Sequence, residues 1–393
     1  MKTINDSLLD MSYTIESRLI EWRRHMHMYP ELSQHEVNTS RYIVEQLGTL
    51  GIDARVVNEM RAVVGVIKGE GGAEDADIGT RCLRADMDAL PIREATGAEY
   101  ASRVDGVMHA CGHDAHVAIQ LGAAALLIKT RDKWCGEVRL LFEPAEETVG
   151  GAKRIAADGY LNGAEALFAL HMHPGLKVGQ LWSRVGAMSG FSDELLITIK
   201  GRNSHGAYPE RGVDAIIIAA NVLLALQTII SRNTSAFDNA VLSFGMINGG
   251  TAGNILADEV RVKGTLRATD GGVREASLAK LREICNGVSK AYGGDCEIRI
   301  IPGCDAVICD TGLVGAIQTI SAGIGMEYLT KPTPSLGVDS FGDMCAHAPG
   351  LYYDLGCAIS ENAPPLHTPE FDIDERCLRL GAYLQAALCL YKP

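Results

Sequence analysis

The 393-residue chain has no dense run of lysine or arginine, and its formal net charge is −13. An acidic surface repels phosphate backbones and anionic lipid, which argues against nucleic acid and membrane surfaces as partners. Long hydrophobic runs are missing as well. The longest, residues 215–230, is short for a bilayer and is interrupted by Asn221 and Gln227. The first residues lack a basic stretch followed by an apolar one, so a secretory leader is not expected. The eleven cysteines are odd in number and follow no regular spacing. They fit reduced, buried thiols rather than a disulfide framework, and the cytoplasm as the compartment.

What is present is an ordinary globular composition, 47% hydrophobic and 22% charged. The length suggests two domains and allows a core that needs neither metal nor disulfide to hold it. In the first half, helical periodicity at residues 16–27, 37–50 and 115–129 alternates with apolar, β-rich stretches at 61–67, 81–87, 137–142 and 164–171. Helices alternating with continuous apolar strands point to an α/β domain whose sheet is covered on both faces. Asp114 stands where it could cap the third of these helices. After residue 189 the order becomes β-α-β-β-α-β, a ferredoxin-like signature. The expected organisation is a discontinuous catalytic domain, residues 1–188 and 303–393, carrying an inserted α+β domain at residues 189–302.

Four local signals carry chemistry. In Met108-His109-Ala110-Cys111-Gly112-His113-Asp114-Ala115-His116, a thiol and an imidazole two residues apart precede a helix and can converge on one cation. Glu146-Glu147 pairs two carboxylates that repel unless a cation relieves them; one can ligate while its neighbour acts as a general base. His171 and His173 share one face of an apolar strand's end, and alternation alone does not separate them. His367 stands in the proline-fixed loop Pro364-Pro365-Leu366-His367-Thr368-Pro369. Each signal alone is more often a buried cysteine, a solvated acidic turn or a surface histidine. Together they supply enough ligands for two cations about 4 Å apart.

These segments, with Arg24-(x)2-His27-(x)2-Pro30-Glu31, Arg84-Ala85-Asp86-Met87-Asp88-Ala89-Leu90-Pro91 and Gly201-(x)2-Ser204-His205-Gly206-Ala207-(x)-Pro209, resemble the aminoacylase-type co-catalytic metallopeptidases. The Cys-Gly-His-Asp segment resembles the hippurate hydrolase and auxin-conjugate amidohydrolase subfamily in particular. The resemblance implies a mixed-sheet metallopeptidase core covered by helices, with a ferredoxin-like lid or dimerisation domain. It implies Cys111, His113, Glu147, His171 and His367 as ligands of two divalent ions, zinc or manganese, with cobalt or nickel also accepted. It implies Glu146 as the general base, and Asp86 and Asp88 as the acidic pair beneath the metals. His205 would stabilise the oxyanion, in a partner subunit's site, and Asn254 and Arg267 would grip a substrate carboxylate. The implied activity is hydrolysis of the N-acyl amide bond of N-acyl amino acids or related small amides, by a homodimer or higher oligomer formed through the inserted domain. A dipeptidase or aminopeptidase of the same fold, or a non-catalytic metal-binding protein, are the alternatives. One departure stands out: Gly337-Val338-Asp339-Ser340-Phe341 replaces the usual Gly-x-Glu-Asp-Phe.

Overall fold

In a computed structural model describing residues 2–72, 75–148 and 150–392, helices and apolar strands alternate through the first half of the chain. The expected domain ranges also include Met1, Ala73, Glu74, Val149 and Pro393, which lie outside the described residues. The first part comprises α1 (Lys2–Thr14), α2 (Glu16–Met28), α3 (Val37–Thr49), β1 (Ala54–Val57), β2 (Ala62–Lys68), β3 (Ala76–Asp86) and α4 (His113–Lys129). It continues through β4 (Trp134–Glu143), α5 (Gly151–Ala157), β5 (Ala166–His173), β6 (Gln180–Ser183) and β7 (Gly186–Ala187). A smaller unit follows, with β8 (Phe191–Lys200), α6 (Ala215–Asn233), β9 (Ala240–Gly249), β10 (Glu259–Ala268), α7 (Gly271–Ala291) and β11 (Asp295–Pro302). The chain then completes the larger unit with β12 (Ile308–Cys309), α8 (Thr311–Gly323), β13 (Glu327–Thr330), α9 (Phe341–Cys345), β14 (Gly350–Gly356) and α10 (Arg376–Leu390).

The larger unit is built on a mixed sheet in the order β1-β2-β4-β3-β5-β14-β12-β7, with β6 pairing β14 and β13. Its centre is parallel: β3 pairs in that sense with β4 and β5, and β14 with β5. The central strands are apolar because both faces are covered. Helix α4 is buried nearly all round from His113 to Leu127, and it packs against α2 and α10. A helix apolar on every side is an interior helix. Asp114 does not cap it. The N-cap is Gly112, and the Asp114 side chain instead accepts hydrogen bonds from Arg23 and His27.

The smaller unit is a four-stranded antiparallel sheet in the order β11-β8-β10-β9, with α6 and α7 packed on it. Period-2 alternation turns Val260, Val262 and Leu266 inward, against Ile218, Val222 and Leu226 of α6. Asp214 caps α6 by accepting from the Ile216 and Ile217 amides. That helix runs 19 residues, longer than the apolar stretch read from sequence, and is long and apolar enough to cross a membrane by length and composition. A third of that window is buried inside the protein, and a helix packed on the core of a globular unit passes the same test of length and composition. By contacts the larger unit is 1–188, 307–333 and 340–393, and the smaller 189–306 with 334–339. Residues 303–306 and 334–339, expected in the catalytic domain, therefore group with the smaller unit.

Candidate metal centre

Three parallel strands deliver reactive side chains at their C-terminal ends, where open α/β sheets present ligand sites. β3 ends at Asp86, in register with Glu143 at the end of β4, and β4 turns into Glu146-Glu147. β5 carries His171. Between Cys111 and His113, Gly112 adopts φ +87°, and a Cβ there would sit 3.0 Å from Met172 Cβ. Conformation and space both call for glycine at this turn. His367 and Ala145 are non-glycine residues at φ +62° and +56°, strained backbone flanking or carrying a site residue.

The donors converge. Cys111 Sγ lies 3.4 Å from His171 Nε2 and 3.1 Å from His367 Nε2. Glu147 Oε1 lies 3.4 Å from His367 Nε2 and 4.0 Å from His113 Nε2. The donor atoms of His113, Glu146 and Glu147 also lie within 4.8 Å of one another. His113 Nδ1 faces the Asp88 carbonyl and His171 Nδ1 the Met172 carbonyl, each at 2.9 Å. A carbonyl only accepts, so both Nδ1 atoms carry the proton and both Nε2 lone pairs face the cluster. His113 Nε2 and Glu147 Oε1 are buried without a hydrogen-bond partner. Lone pairs of imidazole, thiol and carboxylate turned on one another lack a positive centre, and divalent cations fit that donor set.

The electrostatics agree. Burial pushes the Cys111 thiol up. Burial works to lower His113, but Asp86 and the Cys111 sulfur outweigh it and raise the imidazole well above its ordinary value. Glu147 is raised by burial and lowered more by His367 and His113, for a net fall. The field that holds a proton among these groups would hold a cation in its place, with release of the proton.

Around the donors, Asp86 Oδ2 accepts from Arg84 Nη1 at 2.7 Å, and Asp86 Oδ1 lies 2.5 Å from His116 Nδ1. His116 Nε2 accepts the Met172 amide at 3.0 Å. His116 can be grouped with Asp86 and His113, yet both its nitrogens are engaged, and burial pushes it down to about 4, so it is a neutral brace. Asp88 Oδ2 accepts from Ser33 Oγ at 2.6 Å and from the Glu147 amide at 3.0 Å. His173 stands apart: its ring meets Trp182 edge-on at 4.9 Å and its Nδ1 accepts the Gly175 amide. The structure thus brings His171, and not His173, to Cys111.

His205, Asn254 and Arg267 lie in the smaller unit. The Gly206 amide donates to the Asn254 carbonyl at 2.8 Å, joining the His205 and Asn254 loops, and both residues are exposed. His205 Nδ1 accepts the Ala207 amide at 3.0 Å, which puts the ring proton on Nε2. Arg267 sits half-buried on β10.

Three further groups support the site without a role assigned to them from the sequence. His116 follows His113 by one helical turn, a spacing that could have flagged it. Ser33 carried no signal. Glu36 Oε1 accepts the Ala145 amide at 2.8 Å and so holds the turn before Glu146; 109 residues separate the pair, and nothing local announces it.

The sequence pattern of peptidase family M20/M25/M40 matches residues 82–390, and the chain belongs to that family. N-acetyl-L-cysteine deacetylase of Bacillus subtilis (strain 168) is 36% identical over 370 residues, 94% of this chain and 87% of that protein. Thermostable carboxypeptidase 1 of Saccharolobus solfataricus is 36% identical over 382 residues, 96% of this chain and 95% of that protein. The crystal structure of the Bacillus subtilis YXEP protein, described as a dinuclear metal-binding peptidase of the M20 family, superposes with a TM-score of 0.84 at 32% identity. That match covers 96% of this chain and 98% of the other. The chain is a hydrolase acting on amide bonds.

Proposed function

We propose that this protein hydrolyses the N-acyl amide bond of N-acylated amino acids or closely related small amides. The observation that carries the reading is the convergence of Cys111, His113, Glu147, His171 and His367, with Glu146 beside them. Divalent cations held by those five side chains would acidify a water and polarise the amide carbonyl. Glu146 takes the proton from the attacking water and passes it to the departing amine nitrogen. Asp88 fixes the Glu147 amide, and Asp86 braces His116 and through it the strand end carrying His171. His205 presents Nε2–H to the tetrahedral oxyanion, and Asn254 and Arg267 receive the substrate carboxylate.

Thiolate with imidazole favours zinc, and the carboxylate and imidazole donors also accept manganese, cobalt or nickel. The working form in this reading is a homodimer or higher oligomer joined through the smaller unit. Supporting it, Ile216, Ile217 and Leu224 of α6 and Met246 and Ile247 of edge strand β9 are large apolar residues left exposed. His205 then acts in the partner's site. Eleven free cysteines, most of them buried, suit a reducing compartment such as the cytoplasm.

The test is amine release from a panel of N-acyl amino acids by metal-stripped protein, with zinc or manganese restored, beside Glu146→Gln. Metal-dependent cleavage should fall roughly 10²- to 10⁴-fold in the variant, the range of a lost general base, with metal content unchanged. The similarity to a carboxypeptidase keeps free dipeptides on the panel. Cleavage of those alone would move the assignment from amidohydrolase to peptidase.

A further inference from the structure

The general base stands on a turn, and a carboxylate's terminal torsion is broad and two-fold, so something must fix which oxygen faces the water. The Ser340 amide donates to Glu146 Oε1 at 3.2 Å. Its position is set by its own side chain. Ser340 Oγ donates to Glu143 Oε1 at 2.7 Å and accepts from Arg84 Nη2 at 2.9 Å. Both partners are buried and already joined, Arg84 Nε to Glu143 Oε2 at 2.7 Å, and Glu143 Oε1 also accepts the Ala152 amide at 2.7 Å. The same guanidinium reaches Asp86. One arginine thus fastens the end of β3, the end of β4 and the peptide at Ser340. All of these residues belong to the larger unit.

We infer that Ser340 is a positioning residue for Glu146, its hydroxyl pinning its own backbone to the Arg84–Glu143 ion pair so that the Ser340 N–H orients the base. The inference rests on Glu146 acting as the base. It also accounts for the departure from the family pattern. A carboxylate at residue 340 would face Glu143 at the hydroxyl's 2.7 Å and add a third acid to a guanidinium already shared by Asp86 and Glu143. A neutral group that both donates and accepts satisfies both neighbours, and serine is such a group. A backbone donor suits the task, because it neither ionises nor swings on a side chain.

The experiment compares Ser340→Ala, Ser340→Thr, Ser340→Asp and the pair Ser340→Asp with Glu143→Gln, each by steady-state kinetics, metal content and thermal melting. Ser340→Ala should lower kcat about tenfold, the scale at which loss of a supporting group acts, with KM within about twofold and metal content unchanged. Ser340→Thr keeps the hydroxyl and should keep the rate. Ser340→Asp should lose more than Ser340→Ala, and Glu143→Gln should restore it by removing the clashing charge. Should Ser340→Ala fail to fold, the aspartate variant and its rescue decide the same question. A wild-type kcat in Ser340→Ala, a fall explained by lost metal, or no rescue by Glu143→Gln would overturn the inference. Wild-type protein that cleaves no N-acyl amino acid, or Glu146→Gln that still does, would instead overturn the functional reading on which it rests.

Discussion

In the larger unit, Arg23, His27, Arg84, Asp86, His113, Asp114 and Glu143 are buried among aliphatic side chains, whereas the smaller unit's core is mainly Leu, Ile, Val and Ala. The smaller unit does bury the carboxylate of Asp193, matched by two hydrogen bonds from Arg274 at 2.7 and 2.6 Å. Of its candidate functional groups, His205 and Asn254 stand exposed on loops and Arg267 is half-buried on β10. Buried charge is expensive and persists where it is paired or coordinates a metal. The larger unit keeps such a network next to donors whose lone pairs face one another. The smaller unit is a hydrophobic platform that holds polar groups at its surface, where a ligand or a second chain can reach them.

Breaking the buried network should give the largest effect. Arg23 is fully buried and bonds Asp114 at 2.8 Å and Asp372 at 2.7 Å. Arg23→Met removes the buried cation that Asp114 and Asp372 share, leaving them His27 and the Tyr100 hydroxyl, and should cost about 3–5 kcal/mol in chemical denaturation. Arg261→Ala on the exposed face of β10 should cost under about 0.5 kcal/mol, so similar values for the two would erase the contrast.

On the other side of the comparison, His205→Ala should lower kcat by roughly 10²- to 10³-fold with little change in melting, as expected for a surface group that stabilises an oxyanion. Mixing it with Glu146→Gln chains should restore activity if each active site borrows His205 from a partner. Mixtures no better than either parent would confine His205 to its own chain.

A smaller effect follows from Glu36, whose carboxyl burial raises from an ordinary 4.5 to about 7, while hydrogen bonds from the Ala145 amide and others oppose the rise. Its folded value lies above its unfolded value, so the folded state binds the extra proton between them. Stability from this group is therefore present at low pH and falls as pH climbs from about 4.5 through 7, by at most about 3 kcal/mol. Glu36→Gln keeps an acceptor for Ala145 and should flatten melting temperature across that window; an unchanged slope would assign the titration elsewhere. The least change in fold is expected from Leu224→Glu on the exposed face of α6. It should leave melting near wild type while shifting light scattering from oligomer to monomer, and activity should fall with assembly.

Much of the scaffold was legible because burial imposes a period. The buried apolar runs at residues 140–142 of β4 and 166–170 of β5 and the alternation of β10 follow from which faces meet the core. The β-α-β-β-α-β order of the smaller unit could be read for the same reason. Element ends were less legible. β3 begins at Ala76, earlier than its apolar run, because pairing with β4 continues past the buried stretch. The site was legible in kinds of residue but not in arrangement. His171 and His173 share a face in sequence, and their separation depends on where Trp182 and Cys111 come to lie. Asp114 looked like a helix cap because its partner Arg23 is 91 residues away. Ser340 departs from the family pattern in sequence, and its reason lies in Arg84 and Glu143, which flank its hydroxyl from distant strands.

Cobalt titration of metal-stripped protein decides whether the five side chains of the larger unit hold two cations. Two cobalt ions should bind per chain, with a thiolate-to-cobalt charge-transfer band in the near ultraviolet that Cys111→Ser abolishes. A single ion bound, or a band that survives Cys111→Ser, would contradict that two-cation site.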